Sequence, residues 1–190
     1  MAEILHQQKS FKKADYSEKE WFDTEFESCK FTDCNFSNTN LSNNDFQDCH
    51  FNNCNMSTVK FNNTGLKNVN FINCKMVGID FGCCNDFLFA ANFEKCNLEY
   101  SVFYKNKLTK TKFDDCIIRN VNFTDSDLRN ASFKNCDLLN TIFDKNNLSK
   151  ADFRTSYNYS LDPENNLINK AKFSYPGITG LLDKYDIIIE

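Results

Sequence analysis

The sequence has few of the residues on which most enzymes and membrane proteins depend. It contains two histidines, two prolines and five glycines, so a Ser-His-Asp arrangement is not expected. The Gly-rich phosphate loop and the GxSxG and HExxH motifs are absent. No stretch approaches the roughly 20 apolar residues of a membrane span. We therefore expect no enzymatic activity, no cofactor and no contact with membranes.

An excess of basic residues is also missing. The chain has 26 acidic residues against 22 lysines and arginines, which argues against direct nucleic-acid binding. The N-terminal end lacks the basic region and apolar run of a signal peptide. We therefore expect a cytoplasmic protein.

The abundant residues follow a five-residue period. Units such as Thr24-Glu25-Phe26 and Cys29-Lys30-Phe31 recur along the chain. We call the Phe or Leu the central residue, and the smaller residue two positions before it the slim residue. Period five fits neither an α-helix nor a flat strand. It fits a square coil in which each unit forms one side as a very short strand, stacked at ~4.8 Å on the unit one turn away.

The period slips once. After Phe81 the next central residue in phase is Leu88, which implies a two-residue insertion within residues 82–87. The frame then runs unbroken to Phe153. We predict that the insertion bulges outward and leaves the interior register intact.

Residues 20 apart match more closely than the five-residue rule requires. Phe occupies central positions 51, 61, 71 and 81 and then 93 to 153 in steps of ten, whereas Leu, Met or Ile occupies the positions between them. Two opposite sides of the coil should therefore carry columns of offset-stacked Phe rings.

Most cysteines occupy slim positions. Six of them repeat at the coil spacing and predict one interior column: Cys34, Cys54, Cys74, Cys96, Cys116 and Cys136. Their Cβ vectors would run parallel, which is poor disulfide geometry, and no CxxC metal pair occurs. We expect buried free thiols that act as small hydrophobic residues, and no metal site. Cys83 and Cys84 lie in the insertion, where one exposed thiol with a redox role is the alternative.

This pattern resembles the pentapeptide-repeat family over residues 11–153. The resemblance implies an all-β solenoid, a right-handed quadrilateral β-helix of about seven coils. Residues 1–10 would then form an N-terminal cap. Residues 154–190 would form an irregular last coil, a capping helix and a dimerisation tail.

The C-terminal region departs from the repeat. The segment around Leu161-Asp162-Pro163 breaks the pattern, and Ala171-Lys172-Phe173 restores it. Pro176 should begin a short α-helix with Ile178, Leu181, Leu182 and Tyr185 on one face, followed by the β-like run Ile187-Ile188-Ile189. Helix and tail could simply cover the last coil. Alternatively they join two copies, since three consecutive Ile side chains cannot all point into one small cap.

This layout resembles the C-terminal end of Qnr-type quinolone-resistance proteins. In that group the C-terminal module joins two rods tail to tail. The dimer resembles B-form DNA and binds the type II topoisomerases DNA gyrase and topoisomerase IV. The resemblance implies a homodimer joint at Leu181, Leu182, Tyr185, Ile187, Ile188 and Ile189.

A DNA mimic needs a dense acidic surface. The N-terminal third offers a candidate partner-binding set: Asp15, Glu18, Glu20, Asp23, Glu25, Glu27, Asp33, Asp45 and Asp48. The middle of the chain is more basic, with a cluster at Lys105, Lys107, Lys110 and Lys112. Two functions stay open: a DNA mimic that protects a topoisomerase from quinolones, and a scaffold or regulatory rod with an unrelated protein partner.

Overall fold

The computed structural model describes residues 4–87 and 89–189, and these form a parallel β-solenoid. One sheet has four strands in the order β1-β3-β5-β7, and the other has seven in the order β11-β10-β9-β8-β6-β4-β2. The strands are β1 Ile4–Gln7, β2 Ser10–Lys12, β3 Thr24–Glu27, β4 Lys30–Thr32, β5 Asp45–Gln47, β6 His50–Asn52, β7 Gly65–Lys67, β8 Val69–Ile72, β9 Ala91–Glu94, β10 Lys112–Asp114 and β11 Ser132–Lys134.

Strand register confirms the square coil. Phe31 pairs with Phe51 one coil later at a spacing of 20 residues, and Phe71 pairs with Phe93 across the insertion. The seven strands of the larger sheet stack in parallel, one from each successive coil. The interior register therefore passes the insertion unchanged, as predicted. The predicted central residue Leu88 lies outside the described residues.

The solenoid has four sides, which we name by their contents. The bulge side consists of β1, β3, β5 and β7, then the insertion, then the bridged residues Lys107, Asp127, Asn147 and Leu167. The long-sheet side carries the seven-stranded sheet. The cysteine side carries a column of isolated bridges that begins at Asp15 and ends at Tyr157. The fourth side carries the bridges that begin at Glu20 and at Asp80.

Stacked phenylalanine rings fill the interior. On the long-sheet side the ring centroids of Phe93 and Phe113 are 5.2 Å apart, and those of Phe113 and Phe133 are 4.9 Å apart. Phe103 and Phe123 stack at 5.0 Å on the fourth side. The two columns meet edge to face, with Phe103 6.0 Å from Phe113. The predicted pair of Phe columns is thus confirmed, and the two columns interlock.

Slim residues do more than fill space. The Sγ of Cys116 donates to the carbonyl oxygen of Phe93 one coil earlier, at 3.5 Å. The Oγ of Ser101 donates in the same way to Met76 at 2.9 Å. Asn166 on the bulge side donates its Nδ2 to Phe143 at 3.0 Å. The slim position therefore favours Cys, Ser, Thr and Asn because each satisfies a buried carbonyl of the neighbouring coil.

The corners explain the abundance of asparagine. The residue two after most central residues adopts a left-handed conformation, for example Asn53 at φ 54° and Lys110 at φ 66°. Asn and Asp tolerate this conformation better than most residues. Corner side chains also bond between coils, since Asn73 Nδ2 donates to Asn53 Oδ1 at 3.0 Å and Asn53 Nδ2 donates to Asp33 Oδ1 at 2.6 Å.

The two ends differ from the predictions in detail. β1 falls within the predicted cap of residues 1–10, yet it pairs with β3 in the regular register, so the coil extends back to Ile4. The predicted α-helix is wrong. Two 3₁₀ helices, Pro176–Leu181 and Asp183–Tyr185, take its place. Gly180 explains part of this difference: glycine is a weak helix former, and Gly180 packs so closely on the Tyr159 carbonyl that an added Cβ would clash with it.

Candidate interaction surface

Because side chains fill the interior, the candidate binding residues lie on the outer sides of the solenoid. Within residues 4–87 and 89–189, no group of three or more His, Cys, Asp or Glu side chains is placed to hold a metal ion. No helix in the same ranges is long and apolar enough to cross a membrane.

The predicted acidic set does not form one patch. Bridge columns and corners distribute its members over all four sides. Glu25, Glu27, Asp45 and Asp48 lie on the bulge side, Asp15 and Glu18 on the cysteine side, Glu20 and Asp23 on the fourth side, and Asp33 on the long-sheet side. The bulge side is thus the most acidic side at this end.

Several of these carboxylates already have partners within the chain. Asp45 forms an ion pair with Lys67 at 3.0 Å. Asp48 Oδ1 accepts a hydrogen bond from Asn68 Nδ2 at 2.7 Å. The hydroxyl of Ser17 donates to Asp15 at 2.6 Å and, with the Ser17 backbone amide, lowers the pKa of that carboxyl. Such contacts reduce the free negative charge that a partner would meet.

The insertion forms an exposed bulge. Asn85, Asp86 and Phe87 point to solvent, and the Phe87 side chain is 69% exposed. Cys84 and Phe89 are buried on either side of them. The bulge borders a shallow pocket of about 540 Å³ that Lys107 also lines. The predicted outward insertion is confirmed, and Phe89, which was not among the predicted central residues, is buried beside it.

The ten thiols are free. The six-cysteine column is buried, and burial raises the pKa of the neighbouring-column Cys49 to about 12. Cys84 is buried and Cys83 is exposed. Cys83 Sγ donates to Asp80 Oδ2 at 3.2 Å, and this hydrogen bond raises the pKa of the Cys83 thiol. A raised pKa lowers the thiolate fraction, which disfavours the redox alternative.

The basic cluster lies just beyond the bulge. Lys107 and Lys110 are exposed on the bulge side, and Lys105 and Lys112 flank them on the neighbouring sides. The Nζ of Lys105 lies 4.8 Å from the centre of the Tyr104 ring. The bulge side therefore changes from acidic at β3 and β5 to basic after the insertion.

The predicted joint residues divide into two groups. Leu181 packs against the core, and Leu182 is half-buried. Tyr185, Ile187, Ile188 and Ile189 are exposed, and Ile188 is 89% exposed. The three isoleucines do not form a strand. They present an apolar surface at the C-terminal end of the rod.

An ionic clamp holds the second 3₁₀ helix on the last coil. The Nζ of Lys184 lies 2.7 Å from Asp162 Oδ1 and 2.6 Å from Glu164 Oε2. The hydroxyl of Tyr185 donates to Glu164 at 3.0 Å. The hydrogen bond from Lys184 lowers the pKa of both carboxyl groups. The 3₁₀ helices therefore cover the last coil, as the first interpretation of this region requires. The isoleucine tail stays exposed and is available for the joint of the second interpretation.

A second apolar surface lies on the cysteine side. Ile117, Leu139 and Tyr157 are exposed there, at outward positions where polar residues are usual. Leu139 and Tyr157 line a groove of about 570 Å³ that extends to the first 3₁₀ helix. This surface was not predicted from the sequence, although apolar residues at outward positions are its signal.

Comparison with known proteins agrees with this geometry. A family model described as a pentapeptide repeat region matches residues 7–85 and 87–162. No curated protein matches the chain in sequence.

Several solved structures are similar in fold. QnrB1, described as a plasmid-mediated fluoroquinolone resistance protein, is 16% identical, with 96% of this chain and 100% of that chain covered and a TM-score of 0.53. A trypsin-treated form of QnrB1 is 19% identical, with 97% and 99% covered and a TM-score of 0.59. HetL from the cyanobacterium Nostoc sp., described as involved in heterocyst differentiation regulation, is 15% identical, with 90% and 87% covered and a TM-score of 0.72.

Proposed function

Because this chain belongs to the pentapeptide-repeat family, we propose that it is a non-enzymatic rod that binds another protein through its outer sides. The observation that carries the proposal is the division between inside and outside. Stacked rings and bonded slim residues fill the interior, whereas the exposed charges and apolar residues lie outside. We place the protein in the cytoplasm, where its ten free thiols would stay reduced.

The partner that we propose is a type II topoisomerase, either DNA gyrase or topoisomerase IV. Two observations support it: the fold is similar to that of QnrB1, and acidic side chains lie on successive coils of the bulge side at β3 and β5. Carboxylates spaced along a rod can stand in for the phosphates of DNA. The binding surface would then be the acidic half of the bulge side.

A supercoiling assay tests this partner. The protein at ~1–10 μM should alter supercoiling by gyrase or protect it from ciprofloxacin, a concentration range that suits an interface of standard size. Glu25→Gln with Glu27→Gln should weaken the effect. Asp114→Asn with Asp115→Asn on the long-sheet side is the matched control and should not. No effect of the unaltered protein on either topoisomerase would exclude the proposed partner.

We also propose a tail-to-tail homodimer. Ile187, Ile188 and Ile189 are exposed together at one end, and burying one such side chain contributes about 1.5–3 kcal/mol. The molar mass measured by light scattering should be that of a dimer. Ile188→Ser should shift it toward the monomer, whereas Ile142→Ser on the fourth side should not. A monomeric unaltered protein at ~100 μM would contradict this joint, because an interface of standard size forms well below that concentration.

A scaffold or regulatory rod with an unrelated partner is the second candidate. The mixed charge of the bulge side and the exposed Ile117, Leu139 and Tyr157 favour it. Capture from the native cytosol separates the two. Topoisomerase subunits enriched by the unaltered protein support the first candidate. A different partner that is lost with Ile117→Ser and Tyr157→Ser supports the second.

A further inference from the structure

The bulge side carries acidic and basic residues in a self-complementary order. Asp45 and Lys107 lie in the same outward column, three coils apart. Asp48 and Lys110 lie at the following corners of the same two coils, again three coils apart. Both pairs therefore have their midpoint at the same level, between β7 and the bulge.

A third pair shares this midpoint. Glu27 at the end of β3 and Arg129 lie in one column, five coils apart, with their midpoint again between β7 and the bulge. A common midpoint for acid–base pairs is what a twofold axis requires, because the operation exchanges the two members of each pair.

We propose that a second copy of this chain docks antiparallel on the bulge side, about a twofold axis that crosses the rod between β7 and the bulge. The axis lies in the plane of contact and perpendicular to the rod. Each outward column of one copy therefore faces the same column of the other copy, with the order of the coils reversed. Asp45 then faces Lys107 of the second copy, Asp48 faces Lys110, and Glu27 faces Arg129. Each of these contacts occurs twice in the dimer, although Lys67 and Asn68 of the same chain already bond Asp45 and Asp48 and so offset part of their charge.

Two pairs in this register have like charges, because Asp23 faces Asp125 at the corner that leads into the bulge side. Glu25 faces Asp127, but the guanidinium of Arg129 already bonds Asp127, with Nε 2.8 Å from Oδ1 and Nη2 2.6 Å from Oδ2. The bulge of one copy meets β7 of the other, where Gly65 has no side chain of its own. Phe87, otherwise exposed, becomes covered there. The three opposite-charge pairs therefore outnumber the two like-charge pairs.

The expected association is weak and sensitive to salt. Six coils at ~4.8 Å and a side about 15 Å wide bury about 900 Å² over the two copies together, which is below the roughly 1,000 Å² of a stable interface. Exposed ion pairs are screened over a Debye length of ~10 Å at 0.1 M salt. We expect self-association at low ionic strength that weakens as salt is added.

Crosslinking through Cys83 can test the antiparallel orientation of the two copies. Cys83 stacks on Asn63 at the corner that leads into the bulge, close to the level of the axis. The twofold operation places the two copies of Cys83 near each other at one edge of the contact. The other cysteines are buried, so a short bismaleimide has one accessible target on each chain.

A charge exchange tests the proposal in sedimentation experiments. The first variant carries Glu27→Arg and Asp48→Lys, and the second carries Lys110→Asp and Arg129→Glu. Each new residue type already occurs at an equivalent position of this side, so the coil geometry is retained. All proteins also carry Ile188→Ser, so that the proposed tail joint does not contribute and the two dimers are distinguished.

Each variant alone should dimerise at least about tenfold more weakly than the parent protein. A one-to-one mixture should restore dimerisation to within about threefold, because every reversed residue then meets its opposite. Bismaleimide should link Cys83 to Cys83 in the parent and the mixture, and not in either variant alone. The matched control, Asp33→Lys with Lys95→Asp at corners of the long-sheet side, should behave as the parent. A parent that stays monomeric at low salt, or a mixture no tighter than its components, would overturn the proposal.

Discussion

The Nζ of Lys184 lies 2.7 Å from Oδ1 of Asp162, across the gap between the second 3₁₀ helix and the irregular last coil. Glu164 completes the clamp from the same coil. This contact holds the segment that precedes the exposed isoleucines on the rod. Its strength therefore decides how well the position of the tail is fixed.

The clamp should depend on pH. Because Lys184 lowers the pKa of Asp162 and Glu164, its stabilisation is fully present above the ordinary carboxyl pKa. It is lost as pH falls through the lowered values, since both carboxyl groups then take up protons. Lys184→Met should lower the melting temperature at pH ~7 by a few degrees and make little difference at pH ~2. Lys150→Met is the control, and an equal loss at both pH values would contradict the clamp.

Thiol titration should distinguish one cysteine from the other nine. Cys83 is exposed, and the rest are buried. Native protein should release one equivalent of chromophore with a disulfide reagent, and unfolded protein should release ten. Cys83→Ser should abolish the native signal. Two or more fast thiols in native protein would show that the ladder is open to solvent.

Phe113 should be among the most costly interior residues to truncate. Its ring stacks between Phe93 and Phe133 and meets Phe103 and Phe123 edge to face. Phe113→Ala should lower the free energy of unfolding by about 3–5 kcal/mol, as large cavities do. Urea unfolding measures this loss. The exposed Phe87→Ala is the control and should change it by less than ~0.5 kcal/mol.

Asp137 should matter more than its outward position implies. It is only 3% exposed, and it accepts hydrogen bonds from Arg119 Nε at 2.7 Å and Asn158 Nδ2 at 2.9 Å. Burial acts to raise the pKa of Asp137, but these bonds outweigh it and lower the pKa overall. Asp137→Asn should cost about 1–3 kcal/mol in urea unfolding. Asp144→Asn, a nearby surface change, should cost almost nothing.

The interior could be predicted from the sequence because it repeats. The Phe columns, the cysteine column and the passage of the register from Phe71 to Phe93 all follow from spacing alone. Spacing did not reveal why slim residues are polar, because the carbonyl that each one bonds lies 23 residues earlier in most coils, for example Phe113 for Cys136.

The surface could be predicted less well, because neighbours on the surface are set by coil stacking rather than by chain order. Nine acidic residues between Asp15 and Asp48 are close in sequence, yet the coil turns them to four different sides. Residues far apart, such as Asp48 and Lys110, share one side. The C-terminal 3₁₀ helices were missed because the contact between Gly180 and Tyr159 is tertiary.

The slim-residue bonds also govern how such a rod can change its length. Each coil is joined to the next by the same small set of contacts, so removing or duplicating 20 residues leaves every column aligned. Removing a single five-residue unit would instead rotate everything beyond it by a quarter turn and place the lysines after the bulge above a different side from the acids before it. Insertion or removal of whole coils therefore preserves the arrangement of charges on each outer side, whereas insertion or removal of a single five-residue unit changes it.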